Sequence, residues 1–416
     1  MKSLLCLPLI WAALIPSGWG FIVPEVDSAR PFSGHYHATD YQESYRPQFH
    51  FSPRNGWMND INALWYVDGI YHMTYQWGTK KRDAGYTSST DLLHWNDHGL
   101  ALIGRSSHAR DAGAKQNVSG DQIYSGSGIV VSGPVAAKIT GSPKPALITF
   151  YTGTKVGTCI AWSNDHGQTW HNYEKNPVAH PTTGDTPRDP CVIWHEATKK
   201  WVLAIYEEGT TFYGSKDLIT WKRLSNLRFG FECPDLVELP LDGDPEKMKW
   251  VLYDAAGKYL VGHFDGTYFF DENKSKEDLY MDVGPDFYAG QTFFPQTMPV
   301  KKYIQLAWMD EWNGGIDEKP WERNATFPVE LGLVTRDGKM RVTRTPIAAI
   351  KKLYTGSKIR ITNKNLNREN SLKEVRSKAF DMTVIFDLKG ATAEEIVFEI
   401  ASIKYRYNIA DQKLMY

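Results

Sequence analysis

Three acidic residues stand where their type and surroundings could do chemistry. Asp60 lies in the run Trp57-Met58-Asn59-Asp60-Ile61-Asn62-Ala63. Asp189 follows Arg188 and precedes Pro190-Cys191, and Glu232 sits between Phe231 and Cys233-Pro234. Each opens a strand or turn in an aromatic-rich setting, which can push carboxyl pKa values apart. Glycoside hydrolysis uses such a set. One ionised carboxylate attacks the anomeric carbon and a second, protonated one donates to the leaving oxygen. In a retaining enzyme these two groups stand ~5–5.5 Å apart. Single aspartates more often serve as turn or cap residues, so the elements around these three must be able to bring them together.

Those elements are strands. Short runs of Val, Ile, Tyr, Phe and Trp recur between Asp-Gly, Asn-Gly and Pro. Leu64–Val67 turns at Asp68-Gly69 into Ile70–Gln76, and Tyr259–His263 turns at Asp265-Gly266 into Tyr268–Phe270, both hairpin patterns. Runs at helical period are missing from the first 350 residues, so the region is all-β. It also repeats itself. Runs ending at Trp95, Trp170 and Trp221 each carry a Ser two residues before an Asp, and Trp201-Val202-Leu203 is echoed by Trp250-Val251-Leu252. Recurrence every ~50–75 residues suits one four-stranded propeller blade plus insertions. Residues 45–350 have room for a five-bladed β-propeller, with the three carboxylates converging on its axis.

Composition limits the partners. Lys and Arg number 47 against 48 Asp and Glu, a net charge of −1, which offers no basic field to nucleic acid or an anionic membrane. Aromatic residues make up 13% of the chain, with flat faces and polar edges that suit sugar rings as well as a β core. Residues 1–20 read as a signal peptide, with Lys2, an apolar stretch from Leu4 to Ile15, and Gly18-Trp19-Gly20 before the cut. The expected product is secreted. Sequons at Asn117, Asn273 and Asn324 accord with a secreted glycoprotein. Cys159, Cys191 and Cys233 are odd in number and not spaced as zinc ligands, so buried free thiols are expected, with no metal and no cofactor. After Pro346 the texture changes. Residues 351–416 read as a short β-sandwich module, with strands at Ala379–Leu388 and Glu395–Tyr407 and few residues for a complete sandwich.

The ordered motifs resemble glycoside hydrolase family 32, the β-fructofuranosidases (invertases). The family's W-M-N-D-P-N-G is similar to Trp57–Ala63, and its Y-H-L-F-Y-Q to Tyr71–Gln76. Its F-S-G-S, R-D-P and E-C resemble Tyr124–Ser127, Arg188–Pro190 and Glu232-Cys233, and Asp286–Phe293 and Trp308-Met309 match two later motifs. The resemblance implies a five-bladed propeller followed by a β-sandwich, acting on sucrose or a fructan. It implies Asp60 as nucleophile, Glu232 as acid/base, and Asp189 as transition-state stabiliser kept ionised by Arg188. Asn59, Gln76, Ser125 and Arg188 would hydrogen-bond the sugar, and Trp57, Met58, Tyr124 and Trp308 would belong to the pocket. Departures are expected to matter. Ile61 and Ala63 replace the family's Pro and Gly, Ala84 stands in place of a pocket Trp, and Val329 replaces an Arg. Two readings follow: a working hydrolase of terminal β-D-fructofuranosides, or a weak or inactive secreted carbohydrate-binding protein.

Overall fold

Asp68 and Gly69 both take left-handed backbone angles, φ 51° and 83°, as a two-residue type I′ hairpin demands. Gly56–Val67 accordingly folds back along Ile70–Gly78. The computed structural model describes residues 5–8, 41, 43, 46–47, 49–78, 81–107, 109, 114–179, 186–284, 286–293, 302–309, 320–356, 358–365, 370, 372–376, 380–400 and 403–415. The chain divides into two compact units, Phe21–Arg360 and Met1–Gly20 with Ile361–Tyr416.

The larger unit is a five-bladed propeller. Blade I comprises Gly56–Val67, Ile70–Gly78, Asp83–Ser89 and Trp95–Leu102, with Trp321–Glu322 added parallel to its first strand. Blade II comprises Ile123–Val131, Ala146–Gly153, Gly157–Ser163 and His171–Asn172, and blade III Arg188–His195, Lys200–Tyr206, Thr210–Ser215 and Lys222–Leu227. Blade IV comprises Asp235–Leu241, Asp244–Tyr253, Tyr259–Phe264 and Phe269–Asp271. Blade V is built from Tyr288–Thr292, Ile304–Met309, Val329–Arg336 and Lys339–Pro346, and meets blade IV through the parallel pair Leu241 and Leu333.

The repeated words of the sequence are the turns between third and fourth strands. Ser89 Oγ accepts from the Leu92 amide at 2.8 Å, and Asp91 Oδ1 from the Leu93 and His94 amides at 2.9 Å. Ser215 and Asp217 repeat this bonding to Leu218, Ile219 and Thr220 in blade III. Leu92 and Leu218 share φ 67°. Blade II uses Ser163 and Asp165 on Gly167 and Thr169. The Trp201 and Trp250 echoes likewise fall in the second strands of blades III and IV.

The core lies between blades. Trp65, Tyr86, Ile123 and Tyr151 fill the space between I and II. Ile129, Phe150, Leu203 and Ile205 fill that between II and III, and Cys191, Phe212, Leu252 and Phe264 that between III and IV. Leu239, Tyr253, Val329 and Leu331 join IV to V. Met58, Leu64, Phe293 and Leu306 close V onto I, so apolar burial completes the ring. Cys159, Cys191 and Cys233 are buried free thiols.

Two of the three sequon asparagines are engaged in hydrogen bonds. Asn273 donates to the Met340 carbonyl and accepts from its amide, both at 2.9 Å, and Asn117 bridges Ala101 and Ile103 in the same way. Asn324 is 2% exposed. In the folded propeller the Asn273 side chain is buried as well.

In the smaller unit Thr383–Phe386 pairs with Leu5–Pro8, which lies inside the expected leader. Ala379 lies outside the described residues. The stretch Glu395–Tyr407 is not one strand. Glu395–Ile400 folds back on Ile403–Asn408, which pairs in turn with Lys413–Met415. Phe386 of one small sheet and Phe398 of the other meet edge-on, with ring centroids 5.4 Å apart.

Candidate functional site

The innermost strands of blades I, II, III and V carry the site residues, bulges aim them, and Glu232 lies just before the innermost strand of blade IV. Strict alternation would put Asn59 and Asp60 on opposite faces of their strand. The register slips between Met58 and Ile61, and both side chains turn inward, Asn59 Nδ2 donating to Asp60 Oδ1 at 3.0 Å. The other oxygen, Oδ2, accepts from Ser125 Oγ of blade II in a short contact, from Gln76 Nε2 at 3.4 Å and from Cys233 Sγ at 3.8 Å. Gln76 also donates to Ser125 Oγ at 3.0 Å. Asp60 is therefore buried and held from both oxygens. Burial raises its pKa, against the pull of Ser125 and of the Arg82 charge.

Asp189 sits on a second bulge, between Arg188 and Cys191. Its φ is 62°, and Glu232 and Cys233 have φ 56° and 40°. Left-handed angles at three non-glycine residues of one site are strain that the surrounding contacts must hold. The Asp189 amide donates to Thr152 Oγ1 at 2.9 Å, and its Oδ2 accepts from the Cys233 amide at 3.3 Å. Asp189 is 5% exposed. Its carboxyl is pushed up to about 7, first by burial and then by the Asp60 charge, and Arg188 only partly offsets both.

Arg188 is shared between two carboxyls. Its fork lies on Glu232, with Nε 3.2 Å and Nη2 2.6 Å from Oε1, while Nε stands 3.5 Å from Asp189 Oδ2. The guanidinium is stacked on Tyr206 at 4.7 Å and lies 5.7 Å from the Phe231 ring. Tyr288, from the first strand of blade V, donates to Glu232 Oε2 at 2.7 Å. Each oxygen of Glu232 thus has its own fixed donor, which sets the direction of the carboxyl.

Trp57, Tyr124 and Trp308 lie around the carboxylate cluster. Trp57 has Arg323 5.3 Å and Arg82 5.6 Å from its ring, and Trp308 packs edge-on to Tyr288. Met58 does not join them. It is fully buried among Phe51, Leu64 and Tyr75, because the bulge that brings in Asp60 leaves Met58 facing the interblade core. Four residues at the site were not singled out from sequence: Tyr288, Cys233, Arg82 and Arg323, whose Nη1 donates to Asn59 Oδ1 at 2.7 Å. Tyr288 and Cys233 stood inside matched motifs. Arg82 and Arg323 carried no local signal.

The departures prove to be core residues. Ile61 and Ala63 are fully buried in the interfaces of blade I with blades V and II, and Ala84 is fully buried beside Tyr86, Leu102 and Ile123. No open wall at Ala84 awaits an indole. Ile61→Pro should therefore cost about 2–4 kcal/mol through a deleted core side chain. Ala84→Trp should overpack the interface by about 1–3 kcal/mol. Thermal melts should drop for both, with no gain in sugar binding.

Fold and site together define a five-bladed propeller with a ring of three carboxylates on its axis, each steered by hydrogen-bond donors from other blades. The chain belongs to glycosyl hydrolase family 32, whose N-terminal domain is matched by residues 50–346. It is 34% identical to a levanase of Bacillus subtilis over 86% of this chain and 55% of that protein. It is 31% identical to invertase 2 of Saccharomyces cerevisiae over 71% of this chain and 59% of that one. Among solved structures, the exo-inulinase of Aspergillus awamori has TM-score 0.61 at 29% identity, covering 74% of this chain and 68% of its own. A fructofuranosidase of Schwanniomyces occidentalis complexed with fructose has TM-score 0.62 at 27% identity, covering 74% and 65%. The chain thus spans about 55–60% of the length of the levanase and the invertase.

Proposed function

We propose that the chain hydrolyses terminal non-reducing β-D-fructofuranosides with retention, and that sucrose is a substrate. The observation that carries this is the convergence of Asp60, Asp189 and Glu232 into one cluster, each with its own donors. Asp60, held by Asn59 and Ser125, attacks the anomeric carbon of the fructosyl unit. Glu232 gives its proton to the departing glycosidic oxygen, so glucose leaves as an intact alcohol. Glu232 then takes a proton from water as that water's oxygen attacks the same carbon. The Asp60 ester bond breaks and fructose is released. Asp189, adjoining both, holds fructose hydroxyls as charge develops on the ring. A protein that merely bound sugar would have no use for a carboxyl oriented by both Arg188 and Tyr288.

The leader-like first twenty residues support secretion, in keeping with an exo-inulinase of Aspergillus niger, 32% identical, that is named extracellular. Among the described residues no helix is long and apolar enough to cross a membrane. The deciding experiment incubates the purified chain with sucrose, inulin and levan and follows free glucose and fructose. Equimolar fructose and glucose from sucrose is the expected result. No fructose from any of the three would overturn the reading.

A further inference from the structure

Among the described residues, Arg82 is the site cation whose side-chain partners are all aromatic. Its guanidinium lies 5.6 Å from the Trp57 ring and 5.1 Å from the Tyr124 ring, between the blade I and blade II walls. Its backbone is pinned across the same seam. The amide donates to Gln122 Oε1 at 3.2 Å, and the carbonyl accepts from the Ile123 amide at 2.9 Å. Among the described residues no oxygen accepts a hydrogen bond from the guanidinium itself. Its five N–H donors are therefore held in place by stacking but not used. The two rings that hold it belong to the wall around Asp60. Trp57 is three residues before Asp60, and Tyr124 is next to Ser125, whose hydroxyl binds Asp60. Glu232 and its partners Arg188 and Tyr288 come from blades III to V.

We propose that Arg82 is a sugar-binding residue of this pocket, donating from its stacked guanidinium to hydroxyl oxygens of the fructosyl unit on the Asp60 side. The inference rests on the reading that the pocket holds a fructosyl unit, and it adds a contact that the family motifs do not supply. A planar fork between two aromatic rings is pre-organised, so little side-chain freedom is lost when it bonds a ligand. Its charge also acts on Asp60, whose other charged or titratable neighbours among the described residues are Glu232, Cys233, Asp189 and Tyr288. Arg82 is the cation that opposes the burial of Asp60 and so favours its ionised form.

The test uses the full chain and the variants Arg82→Gln and Arg82→Lys. Fructose affinity is measured by calorimetry, kcat/KM on sucrose and on inulin, and the pH profile of kcat/KM. Losing one charge-assisted hydrogen bond should weaken fructose binding and raise KM ~10–100-fold in both variants, by the same factor for both substrates. In Arg82→Gln the acid limb should also move to higher pH, because the cation favouring ionised Asp60 is gone. In Arg82→Lys the limb should stay near its wild-type position, since the charge remains and only the fork is lost. An Arg82→Gln protein that melts like wild type, binds fructose equally well and keeps the limb in place would overturn the proposal. A loss on one substrate alone would overturn it too, by placing Arg82 against the leaving group. Should the wild-type chain bind fructose but hydrolyse neither substrate, the proposed activity falls and fructose affinity still decides Arg82. A wild-type chain that binds no fructose overturns both.

Discussion

Asp60→Asn and Glu232→Gln should each lower kcat for sucrose by ~10³-fold or more while leaving the propeller folded. The amide introduced by Asp60→Asn cannot form the covalent fructosyl bond; it has the size of the carboxyl that Asn59, Gln76, Ser125 and Cys233 hold, with one acceptor replaced by an N–H2. Neutralising a carboxylate that burial already disfavours should not cost stability. Glu232→Gln keeps an acceptor for only one of Arg188 and Tyr288, turns an N–H2 toward the other, and has no proton to transfer. The two variants separate on a fructoside with a good leaving group, such as a nitrophenyl ether. That substrate needs little protonation, so Glu232→Gln should recover its first step, seen as a burst of nitrophenol, and Asp60→Asn should not. Wild-type turnover in either variant would remove that residue from its assigned role.

Much of this arrangement could be read from the chain because local words carry it. Asp68-Gly69 dictates its own hairpin, and Ser-x-Asp dictates a turn through bonds that close within five residues. Asp60, Ser125 and Glu232 stood in runs whose chemistry was recognisable. What could not be read depends on contacts across blades. Met58 has the same neighbours in sequence as Asn59, yet a bulge sends one to the core and the other to the pocket. Arg188 adjoins Asp189 in the chain, which suggests a pair. The guanidinium does stand beside Asp189, but its fork lies on Glu232, 44 residues away. Ile61 and Ala84 looked like damage to a sugar pocket because sequence does not show that both face closed interblade packing. Arg82 is the extreme case, defined by two rings 67 positions apart, Trp57 and Tyr124 (124 − 57).

Asp189→Asn should make the ligand-free protein more stable at neutral pH while removing most of its activity. The carboxyl titrates near 7 in the folded chain against an ordinary 3.8, because burial and the Asp60 charge outweigh Arg188. The folded state therefore holds this proton more tightly than the unfolded chain, and stability falls wherever the unfolded state binds fewer protons. The contribution is fully present below about pH 4 and is lost as the pH rises through about 7. A shift of roughly three units corresponds to about 4 kcal/mol at most. Asparagine presents a neutral group at every pH, so its melting temperature should gain on wild type between pH 5 and pH 8, by several degrees at the upper end. Turnover should drop ~10²–10³-fold near pH 8, where wild-type Asp189 is ionised, and by less toward pH 5, where it is already protonated, since an amide cannot supply negative charge beside the developing cation of the fructose ring. Stability and activity would then move in opposite directions at one residue. A variant that melts below wild type at every pH would mean that Asp189 is ionised and paired with Arg188 in the folded chain after all.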